Sequence, residues 1–266
     1  MKAEEAQMLE RRFLRGVLEN IQKIESIYDP LSDALLPFRY DSDALMSGDR
    51  KRKVKQRMEE LGVFEKEILS NIPYDPYLRY TVTEKSFLSR GGSVVIHADC
   101  LSFWDDFIKS GESNTPINRL KVEELFLRVV EDADVFHYVA VFSPTGFDSD
   151  SKRNIPLREH TELTLVEKGE GTRWNLFFTS KSLARAIVAL FDPESRQEKF
   201  QRLTNCLREC EELKVSGGFV VLDDFLAEQD IPFDIASVAI ERFLASDSAL
   251  KVEEIGGKKI LKRRRL

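Results

Sequence analysis

Cysteine and histidine are scarce, three of each in 266 residues. Cys100, Cys206 and Cys210 are too few for a disulfide framework, and none stands in a Cys/His set spaced to hold zinc. That usage predicts a reducing, intracellular setting, cytoplasmic or, in a eukaryote, nuclear. His97, His137 and His160 are far apart, and the first two fall inside apolar runs, where a satisfied core histidine is the ordinary case. Long hydrophobic runs are missing too. Nothing approaches the roughly 20 apolar residues that cross a bilayer, and residues 1–10 are too charged for a secretory signal. No membrane partner is expected. Glycine-rich signatures fail where chemistry needs them. Ser143-Pro144-Thr145-Gly146 is no Gly-x-Ser-x-Gly turn. Thr145-Gly146 and Ser151-Lys152 lack the Gly-Lys-Ser/Thr ending of a phosphate loop. No catalytic residue, metal ligand or cofactor is therefore assigned.

The remaining material suits packed domains. Hydrophobic residues make up 42%, 18 residues are Phe, and charged residues are 32%. Periodicity predicts a multi-domain chain of α plus α/β type: an N-terminal helical segment with its connector (1–80), a central α/β domain with a mixed sheet (81–193) and a C-terminal domain (194–266). Residues 4–28 read as one helix, with Leu9, Phe13, Val17, Ile21, Ile24 and Tyr28 in a stripe at spacings of three and four. Its stripe could pack on the central domain, on a second copy or on a partner protein. After a loop at 31–48, Asp49 can cap a second helix bearing Val54, Met58 and Leu61, and Val63–Ser70 reads as a third. Ile72-Pro73-Tyr74-Asp75-Pro76-Tyr77 is a stiff connector. Ser93–Ala98 and His137–Phe142 read as buried strands, joined through a helix at 117–132. Gly169-Glu170-Gly171 signals a hairpin, and Ser182–Phe191 an amphipathic helix. Trp104, Trp174, Cys206 and Cys210 read as core.

The last quarter has an ordered grammar. A helix at Ser195–Lys214 is followed by Gly217-Gly218 and the strand Phe219–Leu222. Asp223–Gln229 is a second helix, and Asp234–Ser246 a third after Pro232. Leu250–Ile255, Gly256-Gly257 and Lys258–Leu261 close as a hairpin. This order resembles the winged-helix superfamily over 195–266. The resemblance implies a third helix for a DNA major groove and a wing on phosphates. The third helix departs from that use: it carries Asp234, Glu241 and a single base, Arg242, where base edges call for Arg, Lys, Asn or Gln. The alternation predicts burial of Phe219, Val221, Phe225, Val238, Phe243, Val252 and Ile260.

Charge is uneven. Residues 258–266 hold six bases and no acid, so the net charge of −6 becomes −12 once those six are set aside. The tail cluster is Lys258, Lys259, Lys262, Arg263, Arg264 and Arg265. A second cluster, Arg50, Lys51, Arg52, Lys53, Lys55 and Arg57, falls in the first turns of a helix. Cations there oppose the helix dipole, and a polyanion would relieve the opposition. These twelve residues are the candidate nucleic-acid contacts. The function expected is a non-enzymatic nucleic-acid-associated binding protein within a larger assembly, DNA or RNA left open. One alternative is a protein–protein adaptor without nucleic acid. The other is a metal-dependent nuclease, with Asp99, Asp148 and Asp150 after strand ends and Glu123 and Glu124 on the helix between them, in a layout similar in spacing to PIN-type nucleases. In that case Asp99 and Asp148 should lie at the same end of the sheet without forming a metal cage. Glu167-Lys168 lacks the spacer of a Glu-x-Lys strand.

Overall fold

The computed structural model describes residues 1–37, 45–46, 49–63, 70–83, 93–129, 134–229 and 231–264. Helix α1 (Ala3–Ile21) leads into the hairpin β1 (Ser26–Asp29) and β2 (Ala34–Pro37). Then come β3 (Leu45–Met46), α2 (Asp49–Glu60), β4 (Tyr77–Thr83), β5 (Ser93–Cys100), α3 (Trp104–Ser110) and α4 (Arg119–Val129). They are followed by β6 (Phe136–Ser143), α5 (Ser149–Arg153), β7 (Thr161–Lys168), β8 (Trp174–Phe177) and α6 (Ala184–Phe191). The chain closes with α7 (Arg196–Glu209), α8 (Glu211–Lys214), β9 (Phe219–Val221), α9 (Leu222–Gln229), α10 (Phe233–Ser246), β10 (Leu250–Ile255) and β11 (Lys258–Arg263). Two compact units result, 1–169 with 174–193, and 170–173 with 194–266.

The first unit is α/β. Its mixed sheet runs β3-β4-β5-β6-β7-β8, with β5, β6 and β7 parallel and the outer pairings antiparallel. Strands β5 and β6 are covered on both faces, which is why they read as unbroken apolar runs. Val94, Ile96, Ala98 and Cys100, with Tyr138, Ala140 and Phe142, share a face with Phe13, Val17 and Ile21 of α1 and with Ile187 and Leu190 of α6. Val139, Val141, Leu163 and Leu165 look the other way, against Val122, Leu125 and Phe126 of α4. Trp174 sits beside Phe13 and Phe142.

Residues 1–80 are thus not a segment of their own, and the α1 stripe is spent on the chain's own sheet rather than left for self-association. The helix is also shorter than its periodicity predicts. It stops at Ile21, and Ile24 and Tyr28 lie beyond it. Asn20 Nδ2 donates to the carbonyls of Leu190 and Asp192, and Tyr138 Oη donates to the carbonyl of Tyr28. Strand pairing of Ile27 with Leu36 completes the departure. The expected loop at 31–48 therefore contains β2. The predicted third helix, Val63–Ser70, falls mostly outside the described residues.

The second unit has the order helix, short helix, strand, helix, helix, hairpin, with a three-stranded antiparallel sheet β10-β11-β9. Its core is Leu203, Leu207, Leu213, Leu222, Ile235, Ala236, Ala239, Phe243, Leu250 and Leu261. The burial expected from alternation is corrected here. Phe243 is buried and Val221, Phe225 and Ile260 are half-buried, but Phe219, Val238 and Val252 are exposed. Val238 lies on α10, outside the sheet, and within the sheet register decides Phe219. Val252 stands opposite Leu261 and Glu253 opposite Ile260, so Val252 and Ile260 lie on opposite faces; Val252 shares the face of Leu261 but is 39% exposed there. Leu261 and its partner Val220 take the inner face, which turns Phe219 and Val221 outward. Glu194 clasps Arg202 through both carboxylate oxygens at 2.8 Å, and Arg202 Nη1 donates to the carbonyl of Gln229, tying α7 to the end of α9.

Two outcomes follow from this packing. A Cβ on Gly16 would stand 2.5 Å from Pro193 Cβ. Gly16→Ala should therefore destabilise the first unit by about 1–3 kcal/mol through overpacking, despite the helix propensity gained; chemical denaturation showing a gain would refute this. The Arg202–Glu194 side chains are 10% and 2% exposed. Arg202→Ala should cost about 3–5 kcal/mol by stranding a buried carboxylate, read as earlier melting of the second unit.

Candidate functional site

Helix α2 carries the first basic cluster, and its two faces differ. Spacings of three and four put Arg50, Val54, Arg57 and Met58 on one side. Val54 and Met58 pack with Ala3, Ala6, Ile72, Phe107 and Ile108. Arg50 reaches inward: Nη2 donates to Asp99 Oδ1 at 2.6 Å, Nη1 to the carbonyls of Asp75 at 2.6 Å and Cys100 at 3.4 Å. Its guanidinium also lies 4.8 Å from the centre of the Tyr77 ring. Arg57 makes a two-pronged bond to Asp105 at 2.8 and 2.6 Å and a further bond to Glu60 at 2.8 Å. Asp105 is held below the usual carboxylate range by that guanidinium.

Arg50 and Arg57 are therefore clamps, corrected from the phosphate contacts that the sequence suggests. Lys51, Arg52, Lys53 and Lys55 are left exposed on the other side. Lys51 lies over the Tyr74 ring, and Lys55 is 3.8 Å from Glu59. The C-terminal cluster divides similarly. Lys258 pairs with Asp224, Lys262 with Glu253 and Arg263 with Asp247. Lys259 lies 5.8 Å from the Phe233 ring centre. Arg264 is exposed, and Arg265 lies outside the described residues.

Behind α2 is a polar cluster that the motifs do not reveal. Glu10 stands on the apolar side of α1 and is fully buried. Its carboxyl accepts from the amides of Tyr74 and Asp75 at 3.1 Å and from Ser102 Oγ at 3.4 Å. Asp75 adopts φ 48°, a conformation that Asp tolerates, and is 5% exposed. Lys121 Nζ donates to the carbonyl of Ser102 and lies 3.9 Å from the centre of the Phe103 ring. Burial raises the Glu10 carboxyl well above its ordinary value, with the charge of Asp75 adding to the effect. Burial also lifts Asp75 to about 7, against the pull of Arg50 and Lys121. Asp99 is raised by burial and restrained by Arg50. The signal in the sequence was a carboxylate inside an apolar stripe.

Of the carboxylate candidates, Asp99, Glu123, Asp148 and Asp150 are engaged within the fold. Asp99 lies on β5 opposite Val141 of the adjacent parallel β6, and Asp148 follows β6, so both stand at one end of the sheet. They do not converge on a metal cage. Asp99 is bonded to Arg50, while Asp148 Oδ1 caps α5 by accepting from the Ser151 amide at 2.7 Å. Glu123 pairs with Arg119, and Asp150 accepts from Asn154. Glu167 pairs with Lys152 and takes the Phe147 amide. Among the described residues no group of three or more His, Cys, Asp or Glu is placed to hold a metal. His97 and His137 are buried neighbours with Nε2 and Nδ1 3.1 Å apart, and burial, with His137 and Arg79 beside it, lowers His97 to about 3. One ring nitrogen must donate and the other accept in that contact, so the accepting ring is neutral. No helix among the described residues is long and apolar enough to cross a membrane. Comparisons with protein-family models, with curated proteins and with solved structures gave no match.

The buried carboxyls give a pH test with a defined sign. Asp75 is raised in the folded state, so the folded state holds the extra proton above pH ~4, the ordinary range of an Asp. The stability it lends is complete below that value and is lost as pH rises through about 7. Glu10 acts in the same direction. Stability measured by denaturant between pH 5 and 8 should therefore fall more steeply in the wild type than in Asp75→Asn; parallel profiles would refute the assignment.

Proposed function

We propose that the chain is a non-enzymatic, nucleic-acid-associated binding protein that works within a larger assembly, with phosphate contact local to α2. The observation that carries this reading is the sorting of the cluster. Arg50 and Arg57 fasten one side of the helix to Asp99 and Asp105, and Lys51, Arg52, Lys53 and Lys55 occupy the solvent side. Three of those four lie in the first turn or just beyond it, where the helix dipole opposes them and a phosphate would relieve the opposition.

Residues 194–266 we assign as a winged helix, supported by the element order and by the β10–β11 hairpin with its Gly256-Gly257 turn. In this reading its third helix, α10, does not read bases. The exposed side chains there are Phe233, Asp234, Val238, Glu241, Arg242, Ala245 and Ser246. Asp234 pairs with Arg196, and Arg242 lies over the Phe200 ring. Exposed Phe233 and Val238 favour, as a second reading, an adaptor that docks protein alone. The carboxylates give a nuclease no support, since Asp99 and Asp148 already serve Arg50 and the α5 cap.

Replacing Lys51, Arg52, Lys53 and Lys55 together by Gln should weaken binding to duplex DNA. The slope of log K against log salt should flatten by roughly 0.9 for each phosphate that the variant no longer neutralises. Binding with an unchanged slope would remove α2 from the interface, and no wild-type binding at low salt would favour the adaptor. Truncation after Gly257 is a poor companion test, because it removes β11, the middle strand of its sheet. Lys259→Gln with Arg264→Gln tests the tail instead, and should change the slope less than the α2 variant.

A further inference from the structure

We infer that the outer face of the β9–β11 sheet is a docking groove for an acidic peptide segment of a partner protein, one that carries a bulky apolar side chain. The site lies wholly in the second unit and does not depend on the reading of α2. Strand parity builds it. Leu261 and Val220 take the face toward the helices, so Phe219, Val221, Lys251, Glu253, Ile260 and Lys262 share the opposite face. The register sets them in two rows, Phe219–Lys262–Lys251 and Val221–Ile260–Glu253. The groove over them has a volume of about 720 Å³ and is lined by Gly217, Phe219, Lys251, Ile255, Ile260 and Lys262, with Arg263 and Arg264.

Two properties fix the occupant. The first is apolar area. Phe219 is 55% exposed and Ile255 54%, with half-buried Ile260 beside them. A phosphodiester backbone leaves those side chains in water, whereas a Leu or Phe from a peptide covers them, and such anchors dominate peptide docking. The second is charge. Lys251 and Lys262 both close on Glu253, and Arg263 is held by Asp247 and by the carbonyl of Leu213. With Arg264 included, four cations lining the groove face two carboxylates. Glu253 occupies the space between two lysines as an incoming carboxylate would, and the excess positive charge remains for the partner. A segment alternating Asp or Glu with Leu or Phe matches both properties.

The full chain should be titrated with a fluorescent peptide alternating Asp/Glu with Leu/Phe, with a version carrying Ser at the apolar positions, and with a short DNA duplex. The apolar peptide should bind, and the Ser version should bind about tenfold more weakly or worse. Phe219→Ser, and Lys251→Gln with Lys262→Gln, should each lower affinity for the apolar peptide about tenfold, with melting curves showing that the variants fold. A photoreactive form of the peptide on the wild-type chain makes the test independent of any variant, and its crosslinks should map to residues 217–219 and 251–264. No binding, equal binding of the Ser version, or crosslinks elsewhere would overturn the proposal. So would loss of duplex binding in the same variants without any peptide binding, which would give the face to nucleic acid.

Discussion

The ion pair between Arg50 and Asp99 sets the terms for the first unit. Asp99 sits near the C-terminal end of β5, 2% exposed, where an unpaired carboxylate costs several kcal/mol. A guanidinium is suited to the site, since its planar fork serves Asp99, the Asp75 carbonyl and the Cys100 carbonyl together. The bond draws the start of α2 down onto the strand end. It also closes the connector at 72–76 over Glu10, whose carboxyl takes the connector's amides. With Arg50 and Val54 fixed inward, helical geometry leaves the intervening Lys51, Arg52 and Lys53 no course but outward. One buried pair thus decides both where α2 lies and which of its charges are available.

The same pair explains why a cluster rich in carboxyl groups is read as structure rather than catalysis. Asp99 is neutralised by Arg50, and Glu10 is engaged by two amides and a hydroxyl. Asp75 offers its main-chain carbonyl to Arg50 while its carboxyl is held mainly protonated below about pH 7 by burial. The carboxyls of Asp99 and Glu10 are thus committed to holding neighbouring elements, while Asp75 Oδ1 is buried without a hydrogen-bond partner. In the second unit the Arg202–Glu194 pair has the same part on a smaller scale, binding the start of α7 to the end of α9.

The central strands are legible in the sequence because β5 and β6 are buried on both faces and announce it as Val- and Ile-rich runs. The order of elements in the last quarter is legible from its turns. Other features are hidden for stated reasons. The helical spacing continues through Ile24 and Tyr28, yet a hairpin register and two side-chain bonds from Asn20 end α1 at Ile21. Sequence alternation gives the hairpin of β10 and β11 the wrong parity, because alternation within each strand does not say which residues stand opposite one another. The basic cluster on α2 can be seen but not sorted, since the partner that turns Arg50 inward is 49 residues away in sequence. Glu10 is visible as a carboxylate in an apolar stripe, but its partners at 74, 75 and 102 belong to the tertiary structure alone.

The central claim is that phosphate is met by the solvent side of α2 and not by α10. Amide hydrogen exchange of the full chain, with and without duplex DNA at low salt, separates the two directly. The account predicts slowed exchange across residues 49–60 and no change across 233–246. Protection of 233–246 with 49–60 unaltered would contradict it.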